Sequence, residues 1–267
     1  MFALTHRSLP LSILFVVGLG FTLVDCGEKD DDFDPSDAVE ASGSTAQASR
    51  FNQMVFSPVN SQEPEQAAAA VASEQWWPTG CATRTKDASN PAVVHIHLQD
   101  CTGPFGLRKH TGDITVVFSK PGGLLHAQAT SSNMTVNGKD VSWSGDADVV
   151  VSGTTRTVDY NGAWTRQNLR GETVSHTSDM TIVIDTATKC RTANGTSVTL
   201  VGDRKIDSTI KDYKICKTAD GGDGCPSGTV THSSSDKTVT VAFDGSAEAQ
   251  VTGPKGNTVG VALVCGN

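Results

Sequence analysis

Met134-Thr135-Val136-Asn137-Gly138-Lys139-Asp140-Val141-Ser142-Trp143 reads as two strands around a tight turn. Asn-Gly tolerates the positive φ that both central positions of a type I′ turn require, and its flanks carry the β-branched and aromatic residues of strands. The same pattern continues outward. Ile114, Val116 and Phe118 alternate with Thr115, Val117 and Ser119, and Val239, Val241 and Phe243 alternate with Thr238, Thr240 and Ala242. Val259, Val261, Leu263 and Cys265 share one face of a last strand. Further turns are expected at Asn161-Gly162, joining Val158-Asp159-Tyr160 to Ala163-Trp164-Thr165, and at Asn194-Gly195 after Cys190. Pro254-Lys255-Gly256-Asn257 is expected to join the final two strands. No helical stretch interrupts residues 81–267, so the fold class is all-β, an antiparallel meander without βαβ units. Thr115, Ser142, Ser144, Asp146, Thr157, Asp159 and Thr181 make one face wet and leave the other to be buried. Such a sheet must curl, fold into a sandwich or close into a barrel, and the residues leave those three open.

The N-terminus predicts export. Arg7 lies in a short polar region, an apolar stretch runs from Leu9 to Val24, and Leu23-Val24-Asp25-Cys26 ends it. The stretch is shorter than the roughly 20 apolar residues of a membrane span, so residues 1–25 read as a cleaved signal peptide. Cys26 at the cleavage point is the expected lipidation site, although Asp25 stands where a lipobox carries a small residue. Gly27 in place of Asp allows sorting to the outer membrane. The expected location is the bacterial cell envelope, lipid-anchored and facing periplasm or surface.

Residues 26–50 read as the lipidated cysteine and a disordered acidic tether. Glu28, Asp30, Asp31, Asp32, Asp34, Asp37 and Glu40 face Lys29 alone, which accounts for most of the chain's net charge of −8. Because the charge belongs to a tail and no basic patch exists, no nucleic-acid partner is expected. Residues 51–80 read as a linker with one short helix over Pro64–Pro78, whose Trp76 and Trp77 would dock it onto the β-domain of residues 81–267.

The chain has seven cysteines. With Cys26 lipidated, six remain, an even number that in an exported protein predicts three disulfides. Pairing nearest neighbours closes the shortest loops: Cys81 with Cys101, Cys190 with Cys216, and Cys225 with Cys265, the last expected to be buried. No C-x2-C pair supports zinc.

Candidate chemistry is sparse. His95 and His97 project together from one strand, with His110 nearby, and are the metal candidates, but no third ligand is fixed by spacing. Asp220-Gly221-Gly222-Asp223-Gly224 lacks the order of a calcium loop and reads as a turn. Asp146 and Asp148 share a strand face as a carboxylate pair. Asn133 and Asn194 sit in glycosylation patterns that a bacterial envelope protein leaves bare. No nucleophile elbow, zincin motif, P-loop or dinucleotide fingerprint occurs. No cofactor, metal or catalytic residue is expected.

Cys225-Pro226-Ser227-Gly228-Thr229-Val230, Val241-Ala242-Phe243-Asp244-Gly245-Ser246 and Leu263-Val264-Cys265 resemble the ends of uncharacterised lipoproteins of myxobacteria and related Gram-negative bacteria. Cys101-Thr102-Gly103-Pro104-Phe105-Gly106-Leu107 followed by Thr111-Gly112-Asp113-Ile114-Thr115-Val116 is similar to a segment of the same kind of protein. The resemblance implies a secreted β-domain on a lipid tether and carries no catalytic residues. Three functions follow as alternatives: a non-catalytic structural or interaction module of the envelope, a carrier of a lipid or other apolar ligand, or an envelope enzyme of unknown chemistry. A carrier needs an empty apolar concavity, a module a filled one, and an enzyme a cleft of ionisable groups.

Overall fold

The computed structural model describes residues 37–38, 40–45, 55–56, 58–73, 78–102, 109–168, 170–218, 224–235, 237–263 and 265. Cys26, Trp76, Trp77 and the Asp220–Asp223 stretch lie outside them.

Among the described residues thirteen strands lie side by side in chain order in one sheet, each antiparallel to the next, and the sheet is not closed. They are β1 (Ala82–Lys86), β2 (Val93–Cys101), β3 (His110–Ser119), β4 (Leu125–Val136), β5 (Lys139–Ser152), β6 (Thr155–Gln167) and β7 (Thr173–Asp185). Then follow β8 (Cys190–Val201), β9 (Arg204–Cys216), β10 (Ser227–Ser234), β11 (Lys237–Asp244), β12 (Glu248–Thr252) and β13 (Thr258–Ala262). The Asn137-Gly138 turn is as expected. Val136 pairs with Lys139 across it, and its two residues have φ of 51° and 73°. The Pro254–Asn257 stretch likewise separates β12 from β13.

Two expected turns are strand interior. Asn161-Gly162 lies in the middle of β6, paired to β5 and β7 without a break. Gly162 is there because the Tyr160 ring lies over it: a Cβ at that position would sit 1.7 Å from the Tyr160 hydroxyl oxygen. Asn194-Gly195 lies inside β8, where the register to β9 shifts by a bulge, and the Asn194 side chain accepts the Asp212 N–H at 2.7 Å. The β5–β6 and β8–β9 hairpins turn instead through Gly153-Thr154 and Gly202-Asp203.

One face of the sheet is buried by the described N-terminal residues, which meet it in the reverse of strand order. Residues 37–38 and 40–45 are helical and lie against β6–β10, so this part of the acidic stretch is folded and the expectation of a disordered tether over residues 26–50 fails there. Its seven acidic residues alone suggest a solvated tail, but Asp37 and Glu40 find arginines on the sheet. Val55 and Phe56 then meet the core, with the Phe56 ring 5.9 Å from that of Tyr160. The Arg156 guanidinium donates to the Val59 carbonyl, and Gln62 donates to that of Val149. The alanine helix spans Pro64–Ser73, ending earlier than Pro78, and packs Ala67, Ala68 and Val71 against β1–β3. The small alanines let its backbone approach the sheet closely. These residues and Val94, Ile96, Ile114, Val116, Val149, Tyr160, Trp164 and Ile206 form one contiguous core. Burying each large apolar side chain contributes roughly 1.5–3 kcal/mol.

The three disulfides pair as expected: Cys81–Cys101, Cys190–Cys216 and Cys225–Cys265. The last is half-buried instead of buried, because β11–β13 lie beyond the described covering residues and Val239, Val241, Phe243 and Val261 are half-exposed. The disulfides fit an oxidising, extracytoplasmic location. No helix of the described residues is long and apolar enough to cross a membrane.

Candidate functional site

The open face of the sheet carries hydroxyl, amide, carboxylate and imidazole groups, placed by strand alternation. His95 and His97 do project together from β2, but each has its own acidic neighbour. His95 Nε2 lies 3.3 Å from Asp87 and its Nδ1 3.2 Å from the Thr115 hydroxyl. His97 Nδ1 lies 2.8 Å from Asp113, its cross-strand partner on β3. His110 is buried and hydrogen-bonds the Cys101 carbonyl at 3.2 Å, away from the two exposed imidazoles. Among the described residues no three His, Cys, Asp or Glu side chains converge in a way that holds a metal ion. Hydrogen bonds from the Ser89 side chain and backbone, then from His95, hold the Asp87 carboxyl well below the usual carboxylate range.

Asp146 and Asp148 share this face, and between them reaches a residue that the sequence reading passed over. His126 Nδ1 is 2.9 Å from Asp148 and its Nε2 is 3.8 Å from Asp146. His126 lies on β4 directly opposite Asp148, but a bulge between Thr130 and Thr135 shifts this register by one residue from that of the Asn-Gly turn, so counting from the turn would place His126 opposite Val149. From Asp146 a polar row continues across the strands through Asn161, Asp179 and Thr196. Together with Ser144 and Thr177 it lines an open depression of about 430 Å³. Carboxylate and hydroxyl oxygens face water there, with no nucleophile beside a base.

The covered face holds a second arrangement. Gly145, Gly162, Ser178, Ser197, Ser208 and His232 are successive cross-strand neighbours from β5 to β10. This row of small side chains is a transverse groove. One bank is Trp143, Trp164, His176, Thr199 and Ile206. The other contains Tyr160, Met180, Ile210 and Val230. Residues 37–38 and 40–45 lie along it. The Ser42 hydroxyl shares a 2.8 Å hydrogen bond with His232 Nε2, whose Nδ1 is 2.8 Å from the Ser208 hydroxyl. Thr45 meets Ser197 at 3.4 Å, and Trp164 Nε1 donates to the Ser44 carbonyl at 3.3 Å. Asp37, buried, receives the Arg204 guanidinium in a fork of 2.7 and 3.0 Å. Glu40 pairs with Arg166, which stacks 5.2 Å from the Trp164 ring centre.

Burial sets the chemistry of this groove. It pushes His232 and His176 down to about 4, so both imidazoles are neutral at pH 7, and pushes Tyr160 up to about 12. Hydrogen bonds donated to Asp37 and Glu172 hold Arg204 even more firmly protonated than usual. Ser42, His232 and Ser208 form a hydrogen-bonded chain, and the imidazole is 1% exposed. No protein-family model, curated protein or solved structure matches this chain.

Proposed function

We propose that this chain is an exported, lipid-anchored interaction module of a bacterial cell envelope, non-catalytic, which contacts its partner through the hydrated face of its sheet. The observation that carries the reading is the filled covered face: Ala41, Val55, Phe56, Ala67 and Val71 occupy the apolar side that a carrier would leave empty for its ligand. The edges are the weaker candidates for contact, because β1 and β13 have only five residues each and β1 carries Arg84 and Lys86. The hydrated face, with Asp146, Asn161, Asp179 and the three histidine–aspartate pairs, suits a polar or cationic partner surface. Lipid anchoring at Cys26 rests on the Leu23-Val24-Asp25-Cys26 sequence, and three disulfides agree with export.

Two measurements on the native host's protein test the reading. Mass spectrometry of the mature N-terminus is expected to find diacylated Cys26, and an unmodified Cys26 removes the anchor. A photoreactive residue at Asn161 is expected to crosslink one envelope component in intact cells, and one at Ala68 only the chain itself. Crosslinking of a lipid or small apolar molecule from Ala68 would instead establish a carrier.

A further inference from the structure

We propose that residues 37–45 are an acid-released strap: the groove holds them while His176 and His232 are neutral and lets them go when those imidazoles take up protons. The geometry is that of a latch. His232 contributes directly, bonding Ser42 on the strap through one ring nitrogen and Ser208 on β9 through the other. His176 lies beneath, its ring 5.8 Å from that of Trp164, which donates to the strap at Ser44. Its Nδ1 is 2.9 Å from the Thr199 hydroxyl, and its Nε2 is buried without a hydrogen-bond partner. A second proton on His176 would therefore point at no acceptor. A charge on His232 would be met by two hydroxyls and no carboxylate.

The charged groups around the latch are Asp37 and Glu40 on the strap, Arg166 on β6, Glu172 just before β7 and Arg204 on β9. They already pair with one another, so among the described residues neither imidazole has a free carboxylate to stabilise its charged form. Both histidines are pushed down by burial when the strap is docked, to about 4, against an ordinary value of about 6.5 in water. The released state thus binds more protons than the docked one. Docking is at full strength above pH 6.5 and weakens progressively as pH falls from there towards 4. Each histidine that release exposes to water should multiply the open population about tenfold between pH 7.5 and 5.5, and both together about a hundredfold.

Hydrogen–deuterium exchange of the full mature chain at several pH values, corrected for the intrinsic rate, decides the matter. Protection of residues 37–45 should fall by one to two orders of magnitude from pH 7.5 to 5.5 while β5–β7 stay protected. His232→Asn and His176→Asn together should flatten that profile, and His126→Asn on the opposite face should leave it unchanged. A wild-type imidazole titration by NMR makes the test independent of how the variants fold: the His232 and His176 resonances should shift together with strap release. Constant protection across the range, loss in step with β5–β7, or an undiminished profile in the double variant would each overturn the proposal.

Discussion

Tyr160 and Gly162 show how single residues set the covered face. Trp143 Nε1 donates to the Tyr160 hydroxyl at 3.3 Å, which fixes the ring over the paired glycines 145 and 162. A Cβ on Gly162 would lie 1.7 Å from the hydroxyl oxygen and 2.2 Å from Cζ, whereas one on Gly145 would lie 2.7 Å from Cε2. Neither glycine has a positive φ, so the conflict is purely steric. Gly162→Ala should therefore cost about 1–3 kcal/mol in urea unfolding, and more than Gly145→Ala. Equal, negligible losses would show that the ring does not hold this position. The residue level also explains one misreading. Asn-Gly predicts a turn because both residues tolerate positive φ, but at residues 161–162 glycine answers a neighbouring side chain, and nothing local in the sequence distinguishes the two uses.

At the scale of elements, the strands were legible and their bends were not. Alternation of buried Ile114, Val116 and Phe118 with Thr115, Val117 and Ser119 marks β3 directly, because period two is a property of the chain alone. The bulges, at Asp100, Asn133, Asn194 and Asp212, come from register between strands. The genuine Asn137-Gly138 turn provides a contrast. Its Asn137 has φ of 51°, its side chain accepts the Lys109 N–H at 2.7 Å, and its own N–H donates to the Lys109 carbonyl at 2.8 Å. Asn137→Ala should destabilise by about 1–2 kcal/mol, through the lost acceptor and the strained turn. A loss within a few tenths of a kcal/mol would contradict that account. The disulfides were legible because loop closure favours near neighbours, and Cys190 stands directly opposite Cys216 in the register of β8 and β9. Their sequence separation is 26 residues, so replacing both with serine should cost roughly 3–4 kcal/mol in thermal or urea unfolding. Non-reduced peptide mapping should recover Cys190–Cys216 itself, and a link from either residue to Cys225 or Cys265 would refute the pairing.

The described residues form an open thirteen-stranded meander with one face covered by their own N-terminal part. Composition marked residues 26–50 as a solvated tail, since a run of carboxylates has no local reason to fold. The arginines that receive two of them are Arg166 and Arg204, more than 120 residues away in sequence, and no single-chain pattern announces such a pairing. The same distance explains why the groove was not foreseen: its serines come from β7, β8 and β9, one each. Curled sheet, sandwich and barrel were equally compatible with strand alternation, and the covering chain is what allows the sheet to remain open with a buried face. The central claim is that this face is already filled, leaving the hydrated face for contact. Titration of the full mature chain with a fluorescent fatty acid tests it most directly. Weak, non-saturating binding is the predicted result. Saturable one-to-one binding, competed by an unlabelled fatty acid, would contradict the account and make the protein a carrier.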